Sequence, residues 1–155
     1  MRMSSSGLDA LIRSFENLEG STNEIAHKAL YKAAGVVADE VKAELNALPI
    51  DNGEGEKIHG ATSTEKEDLI SSMGISPHRD SDGAVSTSIG FSGKSRNKSK
   101  RFPGGVPNSA LMRAIESGTS VRQKHPVIRP SLNRVRKRAV EAAKQEVIND
   151  IQKEI

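Results

Sequence analysis

The chain contains no cysteine and very few aromatic residues. Without cysteine it has no disulfide, no thiolate metal ligand and no cysteine nucleophile. Its aromatic residues are three Phe and one Tyr, so a core must be built from Ala, Val, Leu and Ile. The hydrophobic fraction is only 35%, and a small domain already leaves much of its surface in water. This composition is typical of a subunit that completes its burial against neighbours, and also of a partly disordered monomer.

Long hydrophobic runs are missing as well. No apolar stretch approaches the roughly 18–20 residues that a membrane-spanning helix needs. Residues 1–7 lack the continuous apolar segment of a signal peptide. We therefore expect no membrane contact and a protein made in the cytoplasm. The length of 155 residues favours a single domain over residues 1–155.

Two helices are predicted in the N-terminal half. Apolar residues recur at helical spacing within residues 1–20, which predicts a short N-terminal helix. A capping-box pattern at Ser21 then opens a long helix whose apolar stripe continues to Pro49. Residues 50–66 are rich in Gly, acidic and hydroxyl side chains, and hardly any of them could serve as an apolar anchor. This segment is predicted to be a flexible loop.

A β-hairpin is predicted in the middle of the chain. Leu69 to Ile75 leads into a strand, and Ser81-Asp82-Gly83 has the composition of a turn. Ala84 to Phe91 alternates strictly between larger and small side chains, which predicts a strand with one buried face. Residues 92–108 then break the pattern with Gly, Ser, Pro and five cations, and are predicted to be a second flexible loop.

Two more helices complete the chain. Residues 109–117 are predicted to form a short helix that ends at Gly118. A proline-containing extended segment follows, and Pro130 is placed as a first residue of the last long helix. The predicted fold is α+β: long N- and C-terminal helices packed on a small antiparallel β-sheet, with long flexible loops.

The net charge of +3 hides an uneven distribution along the sequence. Between Lys94 and Arg138 there are thirteen Lys and Arg residues and one acid, Glu116. The remaining residues carry ten basic and nineteen acidic side chains. An asymmetry of this size indicates a polyanionic partner or a complementary surface on another subunit.

No arrangement of side chains predicts an enzyme or a metal site. The four His residues fall on four different predicted elements, and none pairs with another at a metal-ligand spacing. No nucleophile motif surrounds any of the abundant Ser and Thr residues. Gly104-Gly105 lacks the pattern of a phosphate-binding loop, and the acidic stretch at residues 51–54 lacks that of a Ca²⁺ loop. We expect no catalytic residue, no cofactor and no metal.

Two clusters of cations are the remaining candidates for an interaction. The first lies in the loop after the hairpin, and the second surrounds the start of the last helix. Cations in the first turns of a helix interact unfavourably with its dipole, by a few tenths of a kcal/mol each. An acidic neighbour, a phosphate or simple solvation would offset this cost in the second cluster. Neither cluster is interleaved with base-stacking aromatics, so a solvated face, subunit pairing and non-specific contact with a DNA backbone all stay open. The clusters are Lys94, Arg96, Lys98, Lys100 and Arg101, and Arg129, Arg134, Arg136, Lys137 and Arg138.

The order of several short motifs resembles the tail-component proteins of tailed bacteriophages and prophages, and more distantly minor tail protein Z of lambdoid phages. The resemblance runs from about residue 24 to the C-terminus and is strongest over residues 110–132. It is carried by an Ala-rich helix ending at Pro49, the Asp68-Leu69-Ile70-Ser71-Ser72-Met73 element, a hairpin ending at Gly90, Glu116-Ser117-Gly118-Thr119, and Pro126-Val127-Ile128-Arg129-Pro130-Ser131-Leu132.

This resemblance implies a structural virion protein, a neck or tail-completion subunit at the head–tail interface. It implies a homohexameric ring around the DNA channel, close to the genomic DNA. The partners it implies are the head connector or head-closure protein on one side, and the tail terminator or tail-tube protein on the other. The candidate interaction residues are Lys94, Arg96, Lys98, Lys100, Arg101, Glu116, Gly118, Thr119, Pro126, Arg129 and Pro130. The alternative is a small basic protein that binds DNA without sequence specificity.

Overall fold

The computed structural model describes residues 2–4, 22–81 and 84–154. Most of the predicted N-terminal helix in residues 1–20 therefore lies outside the described residues, as do Ser21 of the predicted capping box and Asp82-Gly83 of the predicted turn. No helix within the described part of the chain is both long and apolar enough to cross a bilayer. The elements are β1 (Arg2–Ser4), α1 (Thr22–Ala47), α2 (Ser63–Ser72), β2 (Met73–Ile75), β3 (Arg79–Ser81), β4 (Ala84–Phe91), α3 (Asn108–Ser117) and α4 (Ile128–Glu154).

The fold class is α+β, as the sequence predicts, with long helices near both ends of the chain and a small sheet between them. β4 is the central strand of this sheet. β1 pairs antiparallel with one edge of β4, placing Met3 opposite Thr87. The short strands β2 and β3 both pair with the other edge of β4. β3 runs antiparallel to β4, and Asp80 lies opposite Val85. The short strand β1 is not predicted by the sequence pattern.

The alternation predicted for β4 is confirmed. Val85, Thr87 and Ile89 are buried, while the serines between them are only half-buried. Thr87 can occupy the buried face because its hydroxyl donates a hydrogen bond of 2.7 Å to the carbonyl oxygen of Ser76. A buried hydroxyl without such an acceptor would be destabilising.

Helix α2 begins inside the segment predicted to be a loop. Thr62 and Glu65 form a capping box, in which the Thr62 hydroxyl accepts from the Glu65 N–H and the Glu65 carboxylate accepts from the Thr62 N–H. This reciprocal pair satisfies two backbone donors at the helix start. Helix α2 therefore begins at Ser63, and the stretch from Leu69 that leads into β2 is helical up to Ser72.

The described residues divide into two compact units. Unit 1 comprises the described residues within Met1–Ala38, Ile75–Ile89 and Arg134–Ile155. Unit 2 comprises those within Asp39–Gly74 and Gly90–Asn133. By sequence, the ranges of unit 1 hold eleven basic and ten acidic residues, and those of unit 2 hold twelve and ten. The unequal charge of the linear sequence is therefore nearly balanced within each unit.

Candidate interaction surfaces

The segment from Lys94 to Pro107, called the 94–107 loop below, is closed by its own backbone hydrogen bonds. Its two end residues form an antiparallel bridge, and the Ser95 N–H donates to the Val106 carbonyl over 2.7 Å. Gly105 has a φ of +112°, and a Cβ there would lie 2.4 Å from the Ser95 carbonyl oxygen. Only glycine fits this position, because both the backbone conformation and the space exclude a side chain. Although predicted to be flexible, the loop thus has a hydrogen-bonded base.

Arg96 holds the base of this loop on helix α2. Its Nε lies 2.9 Å from Oδ1 of Asp68, and its Nη2 lies 2.9 Å from a carboxylate oxygen of Glu67. The backbone N–H of Arg96 and the Ser95 hydroxyl donate to the second oxygen of Asp68 over 2.9 and 3.0 Å. Arg96, predicted as an interaction residue, therefore makes its contacts within unit 2, to acids that the sequence pattern did not connect with it.

These contacts lower the pKa of Asp68. Partial burial by itself raises the pKa of this carboxyl group, but the Arg96 backbone N–H, the Ser95 hydroxyl and the Arg96 guanidinium outweigh that effect and leave it below the ordinary value of 3.8. The guanidinium pKa of Arg96 is raised in turn, first by its hydrogen bond to Glu67 and then by the one to Asp68.

Replacing Asp68 by Asn should destabilise unit 2 in a pH-dependent way. The folded carboxylate binds its proton less readily than the unfolded one, so its stabilising effect is complete above the unfolded pKa and is lost as the pH falls through the lower folded value. We expect Asp68→Asn to lower the free energy of unfolding by about 1–2 kcal/mol at pH 7, and the difference from the native chain to shrink below about pH 4. Urea unfolding between pH 7 and pH 3 measures this. Asp39→Asn, at an exposed carboxylate, is the control. A deficit that does not change with pH would contradict the role of the carboxylate charge.

The outer part of the 94–107 loop carries exposed cations. Lys98, Lys100 and Arg101 are all exposed, and none has an acidic partner within the part of the chain that the structure describes. The guanidinium carbon of Arg101 lies 5.4 Å from the ring centroid of Phe102, within the range of a cation–π contact. The loop thus has a base fixed by Arg96 and an outer edge whose charges are open to a partner.

Unit 2 also contains a buried ion pair that the sequence analysis did not identify. Arg122 is 6% exposed and Glu65 is 5% exposed, and Nη2 of the arginine lies 3.0 and 3.2 Å from the two carboxylate oxygens. Nη1 of Arg122 donates to the Gly60 carbonyl over 2.6 Å, and the Asn97 amide donates to Glu65 over 2.8 Å. The Thr62-x-x-Glu65 spacing was a readable signal for the cap, but no sequence signal distinguishes Arg122 from the surface cations around it.

Glu116 closes the N-terminus of helix α4. Its Oε2 accepts from the backbone N–H groups of Val127 and Ile128 over 2.6 and 2.8 Å, and its Oε1 accepts from that of Arg129 over 3.0 Å. A helix N-terminus leaves such donors without intrahelical partners, and its dipole favours a negative charge. This cap allows α4 to begin at Ile128, so Pro130 is its third residue and not the first, as the sequence predicted.

Gly118 and Thr119 shape the connection between α3 and α4. Gly118 ends α3 with a φ of +76°, and a Cβ there would lie 3.0 Å from the Lys124 backbone nitrogen. The Thr119 hydroxyl accepts from the backbone N–H groups of Val121 and Arg122 over 3.3 and 3.0 Å. The Glu-x-Gly-Thr motif therefore has a defined structural role: it fixes the start of α4 and places Arg122.

Beside this cap lies a cleft of about 380 Å³ with two exposed cations, Lys124 and Arg129. In the second predicted cluster, Arg134 and Arg138 have interaction partners within the protein, whereas Arg136 and Lys137 are exposed. The two prolines among the candidate interaction residues, Pro126 and Pro130, line this cleft. Its lining residues are Glu116, Ser117, Lys124, Pro126, Arg129, Pro130 and Asn133.

Two of the four histidines come together in unit 1, although the sequence predicts four separate positions. The rings of His27 and His78 stack with their centroids 3.5 Å apart, and Nε2 of His27 lies 2.8 Å from a carboxylate oxygen of Asp80. Stacked rings do not direct their nitrogens to one point, and no group of three or more acidic or histidine side chains among the described residues could hold a metal ion.

The candidate residues therefore separate by what they contact. Arg96, Glu116, Gly118 and Thr119 make contacts within unit 2, whereas Lys98, Lys100, Arg101 and Arg129 present their charges to solvent. Lys94 is exposed at the base of the loop, where its backbone forms an antiparallel bridge with that of Pro107. Comparison with protein-family models, with characterised proteins and with solved structures gives no match for this chain.

Proposed function

We propose that this chain is a structural virion protein of a tailed bacteriophage, a neck or tail-completion subunit that acts at the head–tail interface by assembly. The order of motifs that resembles the tail-component proteins suggests the class. The observation that carries the proposal is the 94–107 loop, whose base is held to α2 by Arg96 while Lys98, Lys100 and Arg101 point their charges outward.

A loop built in this way suits recognition of another protein. Ordering an interface loop on binding costs free energy, and a loop that is already fixed at its base avoids part of that cost. Exposed charges at the edge of an interface act mainly on partner choice and association rate. In the proposed ring of six copies, the loop faces a neighbouring subunit, the head connector or head-closure protein, or the tail terminator or tail-tube protein.

Non-specific DNA binding is the second candidate function. Lys98, Lys100 and Arg101 lack acidic partners among the described residues, and a DNA backbone would supply phosphates to such cations. Binding of this kind weakens steeply as salt rises, because each phosphate contact releases counterions. A gel shift with generic duplex DNA at increasing salt tests it. No shift at low salt would remove this candidate.

The variant Lys98→Gln/Lys100→Gln/Arg101→Gln should abolish joining of heads and tails and leave the fold intact. It spares Arg96, because that residue also holds the loop on α2. The matched control is Lys32→Gln/Lys42→Gln/Lys144→Gln, which removes the same charge from exposed helix positions. Each variant is supplied in trans to a phage or prophage with a nonsense mutation in this gene, and lysates are viewed by electron microscopy.

We expect full heads lying apart from tails, or tails of aberrant length, with the loop variant, and joined particles with the native chain and the control. Circular dichroism verifies that each variant is folded. Normally joined particles from the nonsense mutant without any complementation would overturn the neck and tail-completion function. Joined particles with the loop variant would overturn the role of the loop alone.

A further inference from the structure

The cleft beside the α4 cap is a built feature of unit 2. Its volume is about 380 Å³, and all of its lining residues belong to that unit. The His125 N–H donates to the Ile115 carbonyl over 2.8 Å, and the Glu116 carboxylate accepts from the backbone N–H groups of residues 127–129. These bonds join the segment before α4 to the end of α3, so the backbone on which the cleft is built is fixed.

The cleft carries two cations that lack an acidic partner. Lys124 and Arg129 are both exposed, and neither side chain forms an ion pair with an acid in residues 2–4, 22–81 or 84–154. Glu116 is the acid in the lining of the cleft. Two basic side chains and one acidic side chain leave this lining with a net charge of +1. A cleft with an excess of one charge attracts a group of the opposite sign.

Glu116 does not occupy the place of that group. Its two carboxylate oxygens already accept three backbone N–H groups at the start of α4, and the dipole of α4 favours its negative charge there. The carboxylate is thus held by the helix and not by the cations of the cleft. A negatively charged ligand can therefore pair with Lys124 and Arg129 while Glu116 stays in place.

The other lining residues favour a peptide over a phosphate as that ligand. Ser117 and Asn133 are exposed in the cleft, and their side chains can both donate and accept hydrogen bonds. A peptide offers N–H donors as well as carbonyl and carboxylate acceptors, whereas a phosphodiester offers acceptors alone and would set its oxygens against those of Glu116. Pro126 and Pro130 add apolar surface, against which the CH₂ groups of an acidic side chain can pack.

We propose that this cleft binds an acidic segment of another protein, one of whose carboxylates pairs with Lys124 and Arg129. The guanidinium of Arg129 suits a carboxylate because its planar fork can donate two parallel hydrogen bonds. Ser117 and Asn133 bind the adjacent backbone of the segment. The volume lies in the range of about 300–1,000 Å³ that is typical of ligand sites. The proposal does not depend on the phage function, since it uses only the residues that line the cleft.

Titration of the ¹⁵N-labelled full chain with a short acidic peptide tests this site by NMR. The probe is acetyl-Ala-Ala-Glu-Ala-Ala-amide, and its matched control has Gln in place of Glu. We expect saturable shifts of the backbone amides of Ser117, Lys124, Arg129 and Asn133 with the acidic peptide. The control peptide should bind about tenfold more weakly or worse, because it lacks the charge that the two cations recognise.

Three variants assign the binding to the cleft. Lys124→Gln/Arg129→Gln should weaken it about tenfold or more. Arg129→Lys keeps the charge but loses the planar fork, so it should weaken binding by a smaller factor. Lys32→Gln/Lys42→Gln, which removes the same charge from exposed positions of α1, should leave binding unchanged. Circular dichroism verifies that each variant is folded, as expected for exposed side chains.

Inorganic phosphate and a generic DNA duplex are titrated in parallel. If either one shifts the same amides at lower concentration than the acidic peptide, the cleft is a phosphate site and the proposal is wrong. It is also wrong if the acidic peptide gives no saturable shift, or if Lys124→Gln/Arg129→Gln binds the peptide as well as the native chain does. None of these results bears on the neck and tail-completion function, which particle morphology tests separately.

Discussion

Replacing Arg122 by Met should lower the free energy of unfolding by about 3–5 kcal/mol, the largest effect expected of a single change in this chain. The reason is the state of the partner that remains. Glu65 is 5% exposed, so without the guanidinium its carboxylate is a buried charge opposed only by the Asn97 amide and the Thr62 N–H. The Gly60 carbonyl also loses its donor.

Urea unfolding of the full chain, followed by far-ultraviolet circular dichroism, measures this loss. Arg113→Met is the matched control, because Arg113 is exposed in α3, and it should stay within about 0.5 kcal/mol of the native chain. The double variant Glu65→Met/Arg122→Met separates the charge effect from packing. With both charges replaced it should recover part of the stability lost in Arg122→Met. A double variant less stable than either single variant would contradict the buried-charge explanation.

Replacing Glu116 by Ala should lower the free energy of unfolding by about 2–3 kcal/mol. The change leaves the N–H groups of Val127, Ile128 and Arg129 without their acceptor and removes a negative charge from the positive end of the α4 dipole. Val127 is 1% exposed, so water cannot freely replace the carboxylate at its amide. The first turn of α4 should therefore open more readily than the rest of the helix.

Amide hydrogen exchange locates this effect. We expect exchange at the three capped amides to accelerate more in Glu116→Ala than exchange at amides in the middle of α4. Glu116→Gln keeps an acceptor oxygen but loses the charge, so it should lie between the native chain and the alanine variant. Glu141→Ala, at an exposed position of the same helix, is the control. Unchanged exchange at all three amides would show that the carboxylate does not cap α4 in solution.

An assembly defect can arise either from loss of the interaction surface or from loss of stability in unit 2. Glu116, Gly118 and Arg122 act within unit 2, so variants at these positions can lose assembly because unit 2 is destabilised. Among the described contacts, Lys98 and Lys100 have no such internal role, and the internal contact of Arg101 is with the neighbouring Phe102 ring in the same loop. Loss of assembly in a folded variant of these three residues would therefore report on the interaction surface itself.

The sequence by itself determined the features that depend on spacing within one element. The apolar stripe that ends at Pro49 predicts the long helix α1, and the strict alternation of Ala84 to Phe91 predicts the buried face of β4. Gly118 marks the end of α3, where its φ of +76° requires glycine. Such patterns are readable because a helix or strand fixes which neighbours in sequence share a face. The α+β class follows from the order of these elements.

The tertiary structure decided which charges are paired and which face solvent. Glu65 and Arg122 are 57 residues apart, and Arg96 lies 28 residues from Asp68, so no local pattern connects them. In the sequence Arg122 belongs to a run of thirteen cations, yet it is buried, and Arg96 stabilises a loop that its composition predicted to be flexible. Folding brings acidic segments from one part of the chain against basic segments from another. The physical reason is that an ion pair depends on distance in space, which spacing along the chain does not determine.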